Sequence, residues 1–143
     1  MAFAAFQMGR YTFNEGTPSL ESYAILRRAV GWDDFDAGRA LAGLENSVFA
    51  VHAVCDNETV AMGRIVGDGG YLYQVVDVIV LPGHQRRGLA THIAKILVDF
   101  IRDNLPDKAY ISLIAHHSAN SVYERVGFQS VEPASTGMVL KKQ

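Results

Sequence analysis

Cysteine occurs once in this 143-residue chain, at Cys55, so no internal disulfide can form and a disulfide-stapled fold is excluded. A reducing compartment suits such a chain. No apolar run approaches the roughly 20 residues that a membrane-crossing helix needs, so no membrane partner is expected. The charges nearly cancel: a formal net charge of −2 gives no global attraction to nucleic acid or to an anionic surface. His52 and His84 lack metal-ligand spacing to any other Cys or His, and no metal is implied. The apolar opening, residues 1–6, is short and has no basic stretch before it, which argues against a signal peptide. A cytoplasmic protein is expected.

What remains is an ordinary globular composition, 49% hydrophobic and 20% charged. The length suits one domain spanning residues 1–143, able to bury roughly two-thirds of its unfolded surface. No internal repeat, low-complexity tract or long linker interrupts it.

Met8–Phe13 reads as a first strand. Thr17-Pro18-Ser19 offers a helix start, with Thr17 as N-cap and Pro18 in the first turn; Leu20, Tyr23, Ala24, Arg27 and Val30 follow at helical spacing up to Gly31. A second helix is expected over Phe35–Leu44. The period then changes. Val48–Val54, Thr59–Val66 and Tyr71–Leu81 are strand-like runs separated by Asp56-Asn57-Glu58 and Gly67-Asp68-Gly69-Gly70, the chemistry of hairpins. The third run is apolar on both alternating sets, as in a central strand covered on both faces, and Asp77 is its one charge. A helix over Gly88–Asn104, a strand over Ala109–Ile114, a short helix over Ser118–Val126 and strands at Phe128–Val131 and Met138–Lys142 complete the order. The fold class is α/β (α+β), a mixed, mostly antiparallel sheet with helices on both faces.

The chemistry concentrates in Val78-Ile79-Val80-Leu81-Pro82-Gly83-His84-Gln85-Arg86-Arg87-Gly88-Leu89-Ala90-Thr91. A strand ends, a loop turns, and a helix opens on a glycine. The first amides of that helix have no intrahelical acceptor and carry partial positive charge, which suits an anion such as phosphate. Gly88 and Ala90 keep the approach clear, and Arg86 and Arg87 add charge. Gly83 and Gly88 have P-loop spacing, but Leu89 stands where the phosphate-gripping lysine belongs, and G-x-G-x-x-G is absent after any expected strand.

Gln85-Arg86-Arg87-Gly88-Leu89-Ala90 resembles the Q/R-x-x-G-x-G/A signature of the GNAT acyltransferases. Asp77-Val78-Ile79-Val80-Leu81-Pro82 resembles that family's central strand, and Tyr123-Glu124-Arg125-Val126-Gly127-Phe128 its second signature. The resemblance runs from about Val48 to the C-terminus. It implies acetyl-CoA as co-substrate, its pyrophosphate held by the backbone of Gln85, Arg86, Arg87, Gly88, Leu89, Ala90 and Thr91. Its pantetheine arm would pair along Val78, Ile79 and Val80, with the Val80 amide polarising the thioester carbonyl. It implies direct attack by a neutral amine, with Tyr123 protonating the departing thiolate: a phenol of pKa ~10 can donate to a thiolate whose acid lies near ~8.5. Asp77 is a second catalytic candidate, orienting or deprotonating the amine, with a structural hydrogen bond as the other reading of a charge on a buried strand.

The sequence departs from the family at His116, where asparagine or aspartate is common seven residues before the tyrosine. His116 or His117 could serve as base or proton relay. Asn120, one helical turn before Tyr123, could share its face toward the cofactor. Cys55, at a strand end, lacks a motif partner for covalent catalysis.

Family members build the acceptor pocket from the first two helices and the late hairpin. Here that region carries Glu15, Glu21, Asp33, Asp34 and Asp36 among Tyr11, Tyr23, Trp32 and Phe35, which suits a small cationic amine, polyamine-like in character. Peptide N-termini, lysine side chains and amino sugars remain alternatives. A non-catalytic acyl-CoA-binding regulatory module would keep the pyrophosphate loop without needing Tyr123. Open mixed sheets often pair, so a homodimer is one expected assembly.

Overall fold

The computed structural model describes residues 5–142; most of the apolar opening lies outside them. Among the described residues, six strands form one sheet whose spatial order follows the chain: β1 (Phe6–Met8), β2 (Tyr11–Glu15), β3 (Phe49–Cys55), β4 (Glu58–Gly67), β5 (Leu72–Val80) and β6 (Tyr110–Ser112). Neighbours are antiparallel except β5 and β6, which are parallel. Helices α1 (Leu20–Ala29) and α2 (Ala37–Glu45) connect β2 to β3; α3 (Leu89–Asn104) connects β5 to β6, and α4 (Asn120–Glu124) follows. The mixed α/β class expected from the sequence is what the chain adopts.

Three local expectations need correction. The single strand over Met8–Phe13 is a hairpin, β1 and β2, turning at Gly9-Arg10 with Met8 opposite Tyr11. The N-cap of α1 is Ser19 rather than Thr17: the Ser22 amide donates to Ser19 Oγ at 3.1 Å, leaving Pro18 ahead of the helix. The strands expected at Phe128–Val131 and Met138–Lys142 are not formed. The Phe128 amide is taken by the Tyr123 carbonyl at 3.1 Å, the Ser135 amide folds back on the Val131 carbonyl at 2.8 Å, and Leu140 is 97% exposed. Alternating apolar residues become a strand only in a ladder, and among the described residues no strand pairs with them.

The sheet buries both faces. On one side, α3 lays Leu89, Ile93 and Leu97 on Phe13, Val51, Val60 and Ile65. On the other, Tyr23 and Leu26 of α1 and Leu44 of α2 cover Met62 and Ile79. Each fully buried Leu or Ile contributes roughly 1.5–3 kcal/mol. Gly63 sets how closely α3 sits, since a Cβ there would lie 2.6 Å from Ile93 Cγ2. That contact fixes the position of the helix whose first turn faces the site.

Candidate active site

The register of β5 changes at its middle. Met62 faces Ile79 and Arg64 faces Val76, so Gly63 alone stands opposite two residues, Asp77 and Val78. This is a β-bulge, and Asp77 carries it at φ 54°. The extra residue shifts the alternation. Tyr73 and Val75 face α3 before the bulge and Val78 and Val80 after it, while Asp77 turns toward α1.

On its other edge β5 loses its β6 neighbour before the bulge is reached. Its register with β6 runs only from Leu72–Tyr110 to Gln74–Ser112. The Leu81 amide turns toward β4, donating to the Val60 carbonyl at 2.8 Å, so by strand alternation the Val80 peptide groups turn the opposite way. The Val80 carbonyl accepts from Gln85 Nε2 at 3.1 Å on that side.

The loop into α3 uses two left-handed residues, Arg86 at φ 63° and Gly88 at φ 82°. Gly88 occupies the N-cap position and has no side chain to cap the helix; the first intrahelical bond is His92 N–H to the Gly88 carbonyl at 3.0 Å. The amides of Leu89, Ala90 and Thr91 therefore lack helical acceptors. A Cβ built on Gly88 meets nothing within 4 Å, so the approach to these amides is clear.

A cavity of 660 Å³ joins these parts. Val78, Ile79 and Val80 form one wall, Gln85, Arg86, Gly88, Leu89, Ala90 and Thr91 the end, and His116 and Tyr123 the side beyond β6. Val30 and Trp32, after α1, line it as well. Thus eleven of the fourteen candidate residues read from the sequence line one cavity, with His84 beside them.

Tyr123 owes its position to the turn that follows. Gly127, at φ 108°, reverses the chain, Phe128 N–H returns to the Tyr123 carbonyl, and the two rings meet edge-to-face at 6.1 Å. This is the physical content of a tyrosine followed four and five positions later by Gly-Phe. Burial pushes the Tyr123 phenol above its ordinary pKa of 10.0.

Three candidates lie outside the cavity. Arg87 turns back to Tyr11, donating to its hydroxyl at 3.4 Å. Asn120 lines a smaller cavity of 210 Å³ that shares Tyr123 as a wall. Asp77 is held on the α1 side of the sheet: its Oδ2 accepts from the Tyr23 hydroxyl at 2.6 Å and from Arg64 Nε at 2.7 Å, and its Oδ1 lies 3.7 Å from Arg27 Nη1. Burial, then this hydrogen bond, raises the Tyr23 pKa.

Arg27 is itself enclosed. Its guanidinium carbon lies 5.7 Å from the Tyr23 ring, 5.3 Å from Trp32 and 5.2 Å from Phe35. Sequence reading missed Arg27 and Arg64. The available signals were an arginine at the apolar spacing of α1 and an arginine inside an apolar strand, with a lone aspartate on the strand beside it.

The family described as acetyltransferase (GNAT) domain matches residues 36–137. A Staphylococcus aureus structure described as a probable acetyltransferase superposes with a TM-score of 0.85 at 32% identity, over 92% of this chain and 99% of that one. A GNAT-family acetyltransferase from Streptococcus pneumoniae gives 0.75 at 26% identity, over 93% and 98%. A Clostridium acetobutylicum chain described as a predicted acetyltransferase, with acetyl-CoA, gives 0.66 at 17% identity over 92% and 96%, a likeness of fold. Among curated protein sequences none matches.

Proposed function

Since the chain belongs to the GNAT acetyltransferase family, we propose that it transfers the acetyl group of acetyl-CoA to the primary amine of a small molecule, with Tyr123 as general acid. The observation that carries this reading is the single cavity bringing Val78–Val80, the loop before α3, His116 and Tyr123 together. The residues fit the coenzyme. The clear space at Gly88 admits a pyrophosphate to three amides without helical acceptors, and the edge of β5 beyond Gln74 offers peptide groups to an amide-bearing arm.

Bound acetyl-CoA supplies an activated acyl carbon and a thiolate leaving group. The Val80 N–H, turned away from β4, is the donor for the carbonyl oxygen where negative charge develops. Tyr123, whose phenol is protonated at neutral pH and is pushed further up by burial, delivers its proton to the departing sulfur. His116, on the same cavity, takes the proton that the amine releases. One N–C bond forms and one C–S bond breaks; one proton leaves nitrogen and one reaches sulfur. Asp77, whose carboxylate already faces Tyr23 and two arginines, acts here as a positioning residue behind the bulge.

Thermal unfolding with and without acetyl-CoA tests the reading. At about 100 times Kd the coenzyme should add about 2.7 kcal/mol of apparent stability. Gly88→Ala should lower the melting temperature of the free protein through backbone strain and weaken the shift, while Gly88→Glu should abolish it. No shift at millimolar acetyl-CoA in folded protein would overturn the proposal.

A further inference from the structure

The sequence groups Tyr11 with the aromatics of an acceptor pocket, but the structure gives it other neighbours. Tyr11 opens β2, is 5% exposed, and belongs to the core cluster that Leu89 and Ile93 of α3 join. Arg10 covers the ring, its guanidinium carbon 5.7 Å from the centroid. A ring held by the core and covered by a cation keeps its hydroxyl at one fixed point.

Two residues of the loop between β5 and α3 meet at that hydroxyl. His84 Nδ1 lies 2.9 Å from the Tyr11 hydroxyl oxygen, with the two rings edge-to-face at 5.6 Å. Arg87 Nη1 donates to the same oxygen at 3.4 Å. The oxygen accepts from Arg87, which leaves its own proton to point at His84 Nδ1. One oxygen from a distant strand therefore ties both ends of the span from His84 to Arg87.

That span needs an outside hold. Among the described residues, the amides of Arg86, Arg87 and Gly88 reach no backbone acceptor. Arg86 stands at φ 63°, a backbone conformation that costs energy in any residue with a side chain. Gln85 Nε2 anchors the entry on the Val80 carbonyl at 3.1 Å, and α3 anchors the exit. Between these anchors the hold on the loop is the Tyr11 bridge. The two arginines accordingly differ: Arg86 lines the 660 Å³ cavity, whereas Arg87 is committed to Tyr11. Amides bind an anion best when they are aimed before it arrives, and the loop sets that aim.

We propose that Tyr11 is a positioning residue for the coenzyme. Its hydroxyl, bonded to His84 and Arg87, holds the loop in the shape that presents the first amides of α3 to the pyrophosphate. Arg87 acts through Tyr11 and not by touching phosphate. This rests on the acetyltransferase reading and adds to it the residue that shapes the coenzyme site.

Calorimetric titration with coenzyme A tests the proposal. Tyr11→Phe keeps the ring and removes one oxygen, and it should raise Kd about tenfold. In proton–nitrogen correlation spectra of the free protein, the same change should shift or broaden the Arg86–Ala90 amide signals and leave those of β3 in place. In the Tyr11→Phe background, Arg87→Gln should weaken binding by less than about threefold further, because its route to the loop is already cut. Full multiplication of the two single effects would overturn the route through Tyr11. A Kd within about twofold of native in folded Tyr11→Phe overturns the proposal, even where the melting temperature falls, and leaves the acetyltransferase reading standing. Absence of coenzyme A binding by the native protein overturns both. If Tyr11→Phe fails to fold, His84→Ala and Arg87→Gln decide, since both leave the buried ring in place. Each should raise Kd, the two together by less than the product, and an unchanged Kd in both overturns the proposal.

Discussion

Asp77 and Arg64 face each other from β5 and β4, Oδ2 to Nε at 2.7 Å, with side chains only 9% and 13% exposed. The pair sits at the bulge and anchors it to α1 through the Tyr23 hydroxyl and to α2 through the Gly43 carbonyl. Asp77→Asn keeps the size and the tolerance for a left-handed backbone but removes the charge. It should cost about 3 kcal/mol, because Arg64 is left buried with no counter-charge. Urea unfolding would read this as a lower midpoint at unchanged slope. Arg64→Met added to Asp77→Asn should recover part of the loss.

Tyr123→Phe should lower kcat about a hundredfold or more while leaving the acetyl-CoA Kd unchanged, since the ring keeps its contact with Phe128 and only the proton donor is lost. In the native protein the kcat profile should show no descending limb below pH 10, because burial holds the Tyr123 proton above that value. Unchanged turnover in Tyr123→Phe would overturn the role of this donor, whereas coenzyme binding without turnover in the native protein would favour a coenzyme-binding module.

Stability should fall at alkaline pH. Tyr23 and Tyr123 both have pKa values raised above 10.0 by burial, Tyr23 also by its bond to Asp77. In the window above pH 10 the folded state holds protons that the unfolded chain has released. Stability is therefore lost as pH rises through that window and is unaffected by these groups below it. The slope cannot exceed about 1.4 kcal/mol per pH unit for each tyrosine. Urea midpoints between pH 8 and 11.5 would show it, and Tyr23→Phe should flatten the curve.

The coenzyme end of the site was legible because its determinants are local. A strand end, Gly88 at a helix start, and a tyrosine followed by Gly-Phe are contiguous patterns whose geometry follows from neighbouring residues. The bulge was not legible. Asp77 adopts a left-handed backbone because Gly63 pairs opposite two residues, and that depends on the register of another strand. Arg27 fitted the helical spacing of a core position, but only the fold shows that the core there is three aromatic rings around a cation. Ser19 displaced Thr17 as cap by one helical half-turn, a distance that composition does not resolve. The C-terminal apolar residues had strand periodicity but form no ladder, and periodicity alone does not say which edge will pair.

The sheet resembles a partly opened zipper: three register pairs, from Leu72–Tyr110 to Gln74–Ser112, are engaged, and the rest of the β5 seam is open. A ligand hydrogen-bonded along that seam supplies the missing teeth, so it becomes a mechanical part of the fold while it is bound. The flap made by β6 and α4 is then stiffest in the complex and loosest between turnovers. Hydrogen exchange along α4 should slow when coenzyme binds, and whatever stiffens the flap should slow product release with it.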